Sequence, residues 1–270
     1  LARLDAGRPG LSMAVDETMR ADFALLLLDA LDRPRRRFLH DTVGALRAVK
    51  DPHEVDALRA SGRLNDAAVE AAIAALAPGT TERDVQATLA DHYAARGARP
   101  EFCIVGFGPN GAYPHHHTGG MVLREDTAVL IDMGCRLSGY PSDMTRSFWF
   151  GTAPAEYRAV RDVVEQAVEA ALAAARPGVA AQTVDRAARG VIEATGYGAQ
   201  FVHRTGHGLG LDVHEAPNIS AADTAPLGRG PRLLRRAKHL PSRPVRRSAG
   251  GGGAPAGGRP GDPQRPSTTD

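Results

Sequence analysis

"TAVLIDMGCRLSGYPSDMTRSFWFG" (residues 127–151) decides the fold. Two largely apolar runs flank a Ser-Gly-Tyr-Pro link, and turn residues between two such runs are typical of a β-hairpin. We predict one strand at 127–137 and a second at 142–151. The first strand contains Asp132, and Asp143 stands at the start of the second. The hairpin therefore predicts that two carboxylates lie close together.

Asp132 follows the apolar residues Val129, Leu130 and Ile131, so its carboxylate is expected to be buried. A buried carboxylate is costly unless it is paired or bound to a cation. Two adjacent anions also repel each other, and a divalent metal ion between them removes that repulsion. The simpler alternative is that one aspartate caps the turn and the other pairs with Arg146. The hairpin by itself leaves both readings open.

Helical patterns precede the hairpin. Residues 51–79 carry apolar side chains at helical spacing, behind Asp51 as a predicted N-cap with proline at the first turn. Residues 80–97 form a second predicted helix, capped by Thr81 and ended by Gly97. These two helices lead into a short apolar run that is predicted to be a strand.

The order of elements before the hairpin is repeated after it. Before the hairpin, the two helices are followed by a predicted strand at 101–108. After the hairpin, two more predicted helices at 153–178 and 180–196 are followed by a glycine-rich loop at 206–217 that enters an extended segment. Paired helices beside short hairpin strands indicate an α+β fold with an antiparallel or mixed sheet and two similar αα-β halves. Regular βαβ alternation, the mark of a doubly wound fold, is not present in this pattern.

The two ends of the chain differ from its centre. Residues 1–48 contain a predicted helix at 21–31 and a short strand at 35–41, which indicates the remnant of an α/β domain. Residues 221–270 lack aromatic side chains, and Gly and Pro make up 17 of the 50, so they are predicted to be disordered. This tail carries a net +7 within an overall +2, which leaves −5 for the first 220 residues and argues against a nucleic-acid partner.

The bulk composition bears on the compartment. Cys103 and Cys135 have no CxxC spacing, so we expect two buried thiols in a reducing compartment, that is, a cytoplasmic protein. The apolar run at 23–31 is too short to cross a bilayer and is flanked by acidic residues. No membrane association is therefore expected.

Histidines form two further clusters. A glycine-rich stretch of twelve residues contains His203, His207 and His214, and glycines let the backbone approach a ligand closely. Neutral imidazole is a good ligand for divalent transition metals, although single histidines are more often core or surface residues. The consecutive histidines at 115–117 cannot all face one site, and a solvated loop is the simplest reading for them.

Three motifs in series carry a resemblance to a known family. The chain is similar to the pita-bread metallopeptidases, and most similar to their Xaa-Pro dipeptidase (prolidase) and aminopeptidase P branch. The resemblance covers about residues 45–226. The motifs that carry it are "VGFGPNGAYPHH" (105–116), "VLIDMGCRLSGYPSDMTRSF" (129–148) and "HRTGHGLGLDVHE" (203–215).

The resemblance implies a domain organisation. Residues 1–48 would be the remnant of an N-terminal creatinase-like domain, and residues 49–220 a catalytic domain with the pita-bread fold and pseudo-symmetric halves. This domain would be incomplete at its C-terminus, and residues 221–270 would be an aberrant tail.

The resemblance also implies an activity, the hydrolysis of the peptide bond before proline by a metal-bound hydroxide, with a glutamate that carries a proton to the leaving nitrogen. Two divalent ions, of manganese, cobalt, iron or zinc, would be the cofactors. The partner would be a peptide with proline at its second position, and relatives of this branch suggest a homodimer. The implied metal ligands are Asp132, Asp143 and His207. The implied substrate contacts are His115 and His214, and His203 would lie in an outer position near the substrate. Arg146 would help to position the ligands.

The chain departs from the family pattern after the histidine motif. The pattern places two further ligands, both glutamates, in this part, but residues 216–270 contain no glutamate. When residues 232–251 are read one nucleotide forward, the permitted codons include those for Val-Glu-Pro and Arg-Leu-Glu. We therefore interpret the tail as an out-of-frame translation.

Two missing ligands predict weak metal binding and little peptidase activity. The alternatives that stay open are a methionine aminopeptidase, a metal-free creatinase-like hydrolase and a non-catalytic binding module on the same fold. The N-terminal remnant argues against the first alternative, and the combination of Asp132, Asp143 and His207 argues against the second.

Overall fold

The computed structural model describes residues 12–16, 18–31, 35–39 and 42–228. The part of the predicted disordered tail at 229–270 lies outside the described residues, as does the beginning of the predicted N-terminal remnant. Within the described residues, no helix combines the length and the apolar character that are needed to cross a bilayer.

Four short elements come first. Strands β1 (Ser12–Val15) and β2 (Arg35–Phe38) pair in parallel, and helix α1 (Ala21–Ala30) connects them. Parallel neighbours joined by a helix form a βαβ unit, which agrees with the predicted α/β character of this region. The predicted helix and strand are confirmed, whereas β1 and the short helix α2 (Val43–Ala48) were not predicted.

Helices α3 (Pro52–Ala74) and α4 (Glu82–Ala94) begin where their caps predict. The Glu54 backbone N–H donates to the Asp51 carboxylate at 2.8 Å, and Glu54 accepts the Asp51 N–H at 3.0 Å in return. Thr81 and Asp84 form the same reciprocal capping box before α4. These contacts satisfy backbone donors that have no partner inside the helix.

The predicted hairpin is confirmed with a shorter turn. Strands β3 (Arg99–Phe107), β4 (Thr127–Leu137), β5 (Tyr140–Pro141) and β6 (Met144–Phe150) form one antiparallel sheet. The turn consists of Ser138 and Gly139 alone, at φ 51° and 86°, and β5 already pairs back onto the end of β4. Two residues with positive φ match the right-handed twist of the flanking strands, so the four-residue link was predicted too long.

The main core lies between this sheet and helices α3 and α4. Leu89, Phe107 and Ile131 are fully buried in it, and they come from α4, β3 and β4 respectively. Cys135 is buried in the same core, whereas Cys103 is only partly buried, and both are free thiols. The core therefore joins both helices to the sheet.

The second half contains helices α5 (Ala155–Ala174) and α6 (Ala181–Ala194), followed by the antiparallel strands β7 (Gly206–Gly208) and β8 (Glu215–Ile219). Strand β7 lies inside the segment predicted to be a loop. Residues 221–228 continue this half, because the Ala181 N–H donates to the Ala225 carbonyl at 2.9 Å and Leu227 packs on a small core cluster. The domain boundary predicted at 220 is therefore too early, and the predicted disorder is wrong for these eight residues.

The two halves repeat at the level of single hydrogen bonds. In the first half, the N–H groups of Gly79, Glu82 and Arg83 donate to the carbonyls of Leu123, Met121 and Gly119. In the second half, the residues 99 positions later, Gly178, Ala181 and Gln182, donate to Leu227, Ala225 and Asp223. The predicted pair of similar halves is thus present in the structure. Below, the counterpart of a residue in α4 is the residue 99 positions later.

Candidate metal centre

The two aspartates of the hairpin approach each other as predicted. Asp132 lies in the middle of β4, where the Thr145 hydroxyl donates to its Oδ1 at 2.8 Å. Asp143 lies between β5 and β6, at the point where the chain returns along β4. Burial raises the pKa of Asp132, and the nearby charge of Asp143 raises it further, although the Thr145 hydrogen bond opposes both effects. The two carboxylates are thus close enough to repel each other.

His207 joins the pair from the distant β7 strand. Its Nε2 lies 3.1 Å from Oδ2 of Asp143, and its Nδ1 lies 3.0 Å from the Gly208 carbonyl. A carbonyl only accepts, so Nδ1 carries a proton and Nε2 is the nitrogen that faces the carboxylate. The hydrogen bond to Asp143 raises the pKa of His207 despite the effect of burial.

His214 completes the cluster. Its ring centroid lies 4.3 Å from that of His207. One ligand atom each from Asp143, His207 and His214 lies within 4.8 Å of the others. Burial lowers the pKa of His214, and the neighbouring His207 lowers it further, which favours the neutral ring. Asp132 borders this group without belonging to it, although its pKa responds to both Asp143 and His207.

The donor set fits a divalent transition metal. One carboxylate and two imidazoles converge from two separate elements, and a second carboxylate is adjacent. Oxygen and nitrogen ligands of this kind suit manganese, cobalt, iron and zinc. The Nδ1 contact of His207 with a backbone carbonyl is also the contact that orients metal-binding histidines in proteins.

The three consecutive histidines have different environments. His115 has a φ of 56° and is exposed, and its charge lowers the pKa values of Asp132 and His214, so it lies near the cluster. His116 has a different partner, because its Nε2 contacts the Glu82 carboxylate at 3.0 Å. His117 is exposed. The prediction that they cannot all face one site is confirmed, and the reading as a simple solvated loop is wrong for His116.

His203 is not brought into the cluster. Its Nδ1 lies 2.8 Å from the Arg204 carbonyl, and its ring packs edge-on against Phe201 with centroids 4.8 Å apart. An open cavity of about 640 Å³ lies nearby, with Arg204, Asn218 and Asp223 on its wall. The charge of Arg204 lowers the pKa values of both His207 and His214.

Arg146 has a different acidic partner from the one that the simpler alternative required. Its Nη2 donates to Asp66 of α3 at 3.1 Å, and its Nη1 donates to the Thr145 carbonyl at 3.0 Å. Asp132 and Asp143 are instead engaged with Thr145 and His207. The structure therefore does not support a turn-capping role for one aspartate and an Arg146 pair for the other.

Charged side chains hold the segment that carries His207 and His214 in place, and the sequence did not identify them. The buried Lys50 donates to Glu215 at 2.9 Å, and Arg47 donates to both Glu215 and Asp212. Glu215 also accepts the Asp212 N–H at 3.0 Å, and it fills the space above Gly210, where a Cβ would lie 2.2 Å from its Oε2. A side chain at position 210 would thus displace the residue that follows His214.

Comparisons with known proteins agree with this geometry. A family model described as metallopeptidase family M24 matches residues 56–233. Over 219 residues the chain is 41% identical to "Probable dipeptidase PepE" from Mycobacterium tuberculosis, which covers 80% of this chain and 58% of that protein. Over 194 residues the chain is 34% identical to the Xaa-Pro dipeptidase of Pyrococcus furiosus, a match that covers 71% of this chain and 56% of that protein.

A solved structure supports the fold. The prolidase from Thermococcus sibiricus superposes with a TM-score of 0.77 at 34% identity, covering 83% of this chain and 62% of that one. The predicted pita-bread fold is confirmed by this similarity. The chain spans rather more than half the length of the relatives that it matches.

Proposed function

Because the chain belongs to metallopeptidase family M24, we propose that it is a metal-dependent exopeptidase of the Xaa-Pro dipeptidase type. One observation carries the proposal, the convergence of Asp143 and His207 at 3.1 Å beside His214. Asp143 lies 64 positions before His207 and 71 before His214 in the sequence, and a solvated loop has no reason to bring them together. The half-buried Asp132, whose pKa the nearby charge of Asp143 raises, adds a second carboxylate beside them.

Asp132, Asp143 and His207 are the proposed ligands of two divalent ions. When bound, such ions lower the pKa of a water molecule to near neutrality and polarise the scissile carbonyl. Asp143 and His207 would hold one position through their facing atoms, and Asp132 would offset further positive charge from β4. The identity of the metal is proposed only within manganese, cobalt, iron and zinc.

His115 and His214 are the proposed substrate contacts. His214 belongs to the cluster and His115 lies near it, and the lowered pKa of His214 favours the neutral ring, so one nitrogen can donate a hydrogen bond to a carbonyl oxygen. His203 stays a proposed outer residue near the substrate. A general acid is harder to assign, because Glu215 is already engaged by Lys50 and Arg47.

Weak metal binding is part of the proposal. The family pattern expects two glutamate ligands after the histidine motif, and residues 216–270 contain no glutamate. Two aspartates and one histidine leave much of the charge of two divalent ions without a counter-charge. We therefore propose low peptidase activity for this chain, and the out-of-frame reading of residues 232–251 is its proposed cause.

The substrate is proposed from the names of the relatives. Xaa-Pro dipeptidase and prolidase both denote cleavage before proline, so a short peptide with proline at its second position is the proposed substrate. We also propose that the chain forms a homodimer. We propose a cytoplasmic location, which the free thiols Cys103 and Cys135 support. A non-catalytic binding module is the second candidate, favoured by the same lack of glutamate after Glu215.

Calorimetric titration of the full chain with Mn²⁺ and Co²⁺ tests the metal site. Asp143→Asn and His207→Gln should each weaken binding by about tenfold or more, because each removes a ligand. Asp91→Asn, an exposed change in α4, is the matched control and should bind like the unchanged chain. Equal binding by all four proteins would refute the assignment.

Hydrolysis of Ala-Pro, with Ala-Ala as the comparison peptide, tests the activity. We expect slow, metal-dependent cleavage of Ala-Pro and less of Ala-Ala. Metal binding without any cleavage would favour the non-catalytic module. Cleavage that persists after chelation would favour the metal-free hydrolase.

A further inference from the structure

Glu82 is a fully buried carboxylate outside the cluster, and its position has no explanation in helix capping. It is the first residue of α4, where Thr81 and Asp84 already provide the capping box. Its side chain has 0% exposure. A buried carboxylate is tolerated only when its lone pairs are satisfied, so its partners indicate what it does.

The four hydrogen-bond partners of Glu82 come from one segment, which runs from the last residue of β3 into the chain before β4. Its Oε1 accepts the Phe107 N–H at 2.9 Å and the Asn110 amide at 2.8 Å. Its Oε2 accepts the Gly119 N–H at 2.9 Å and contacts His116 Nε2 at 3.0 Å. These contacts hold both ends and the middle of residues 107–119, which we call the histidine-triplet loop.

The electrostatics agree with an ionised Glu82. Burial raises its pKa, but the hydrogen bonds from His116, Asn110, Phe107 and Gly119 outweigh that effect, and the pKa lies below the usual value. A carboxylate only accepts, so His116 must donate through Nε2. The side chain of His116 is thereby fixed against Glu82, and among the described residues it is not part of the metal cluster.

Fixing His116 constrains the residue before it. His115 is in the left-handed region at φ 56°, which a non-glycine residue adopts at a cost and keeps only when its surroundings impose it. Because Glu82 holds the ring of His116, the backbone that follows His115 is anchored at this strained turn. The charge of His115 affects Asp132 and His214, so His115 lies near both.

The repeat gives an internal control for this argument. The counterpart of Glu82 in the second half is Ala181, whose backbone N–H makes the equivalent hydrogen bond but whose methyl group cannot accept one. The fold therefore does not need a carboxylate at this place. Glu82 is present only in the half whose following loop carries the histidine triplet.

We propose that Glu82 is a positioning residue, which acts through His116 to aim His115 at the metal cluster. The inference rests on the proposed function in one respect, because the reason to position His115 is its proposed contact with the substrate. The geometry itself can be tested whether or not the chain cleaves peptides.

NMR of the metal-free full chain, labelled with ¹⁵N and with ¹³C-histidine, is the test. Glu82→Gln keeps the size of the side chain but places an NH₂ group against donors. We expect the amide hydrogens of Phe107 and Gly119 to exchange about tenfold faster or more, since hydrogen bonds to a charged acceptor are lost. The His115 ring signals should also shift or broaden, and the slowly exchanging Nε2–H of His116 should disappear.

His116→Gln is the milder second variant, in case Glu82→Gln does not fold. It should change the His115 ring signals in the same direction and leave the Phe107 and Gly119 amides protected. Asp91→Asn on the exposed side of the same helix is the control, with both sets of signals unchanged. If Glu82→Gln lowers the melting temperature while the His115 signals stay as in the unchanged chain, Glu82 has a structural role only and the proposal is wrong.

Metal titration separates this inference from the proposed function. Glu82 is not a ligand, so Glu82→Gln should change the Co²⁺ affinity by less than the loss that His207→Gln causes. Failure of the unchanged chain to bind Mn²⁺ or Co²⁺ would contradict the proposed function and leave the NMR result to decide on Glu82. Where Ala-Pro cleavage is measurable, a loss in kcat with KM little changed would support positioning.

Discussion

Helices α4 and α6 occupy equivalent places in the two halves, but their N-caps differ. Thr81 caps α4 through its hydroxyl, whereas Ala180, at the same place before α6, has no side-chain acceptor. The cores differ in the same direction. Leu89 of α4 is fully buried in a cluster that includes Phe107 and Ile131, and its counterpart in α6 is the much smaller Ala188. Equal backbone hydrogen bonding can thus coexist with unequal side-chain packing, and the first half is expected to supply most of the stability.

The largest difference between the halves should follow from Leu89→Ala, which gives α4 the residue that α6 has. We expect the free energy of unfolding to fall by about 3–4 kcal/mol, because the large cluster around Leu89 cannot close the cavity. Urea unfolding followed by circular dichroism measures it. A loss below about 1 kcal/mol would mean that the first half is as loosely packed as the second.

Asp185 tests whether the second half depends instead on a polar network. Its buried carboxylate accepts from Arg189 Nε at 3.0 Å and from the Thr205 hydroxyl at 2.6 Å. Asp185→Asn should cost about 2 kcal/mol at neutral pH, since charged hydrogen bonds are lost.

The same variant should change the pH dependence of stability. Burial raises the pKa of Asp185, but Arg189 and Thr205 outweigh it and the pKa is lowered. A folded-state pKa below the unfolded one stabilises the protein above about pH 4, and this contribution is lost as the pH falls further. Asp185→Asn should therefore flatten the acid limb of the stability curve, whereas the exposed control Glu169→Gln should keep it.

Val85 and Val184 offer the best-matched pair, because they are counterparts and each is 2% exposed. Val85→Ala should cost about 2 kcal/mol and Val184→Ala about half of that, since the smaller cluster around Val184 can close more of the space. Urea unfolding of both variants under one set of conditions gives the ratio. Equal losses would contradict the contrast drawn between the two cores.

The caps should give the smallest effect. Thr81→Ala removes the side-chain acceptor of α4 and should cost about 1 kcal/mol. Ala180→Thr introduces one before α6, where φ −65° and ψ 141° already suit an N-cap, and should add up to about 1 kcal/mol. Opposite signs for the two changes would confirm that the caps differ, and a loss in both would count against it.

Much of the fold was predictable because it depends on contacts between near neighbours in the chain. The capping boxes at Asp51 and Thr81 involve residues three positions apart, and the hairpin around Ser138-Gly139 needs only a local twist. Only the details were wrong, such as the length of that turn, because β5 pairs with β4 for two residues before β6 begins.

The candidate residues could be named from the sequence, but their arrangement could not. Asp143 and His207 were candidates by their residue types and motifs, whereas their 3.1 Å approach depends on where the fold places the β5–β6 connection against β7. The residue pattern alone did not separate His115 from His116, because an extended chain allows either one to face the site, and only the resemblance selected His115.

The amino-acid sequence by itself determined the caps, the hairpin, the repeat of αα-β units and the set of acidic and histidine side chains that we propose as metal ligands. The tertiary structure alone decided that Glu82 holds the histidine-triplet loop, that Arg146 pairs with Asp66 and that Lys50 holds Glu215. The physical reason is distance along the chain. A buried charge must find its partners wherever the packed fold places them, and those partners lie 25 to 165 positions away.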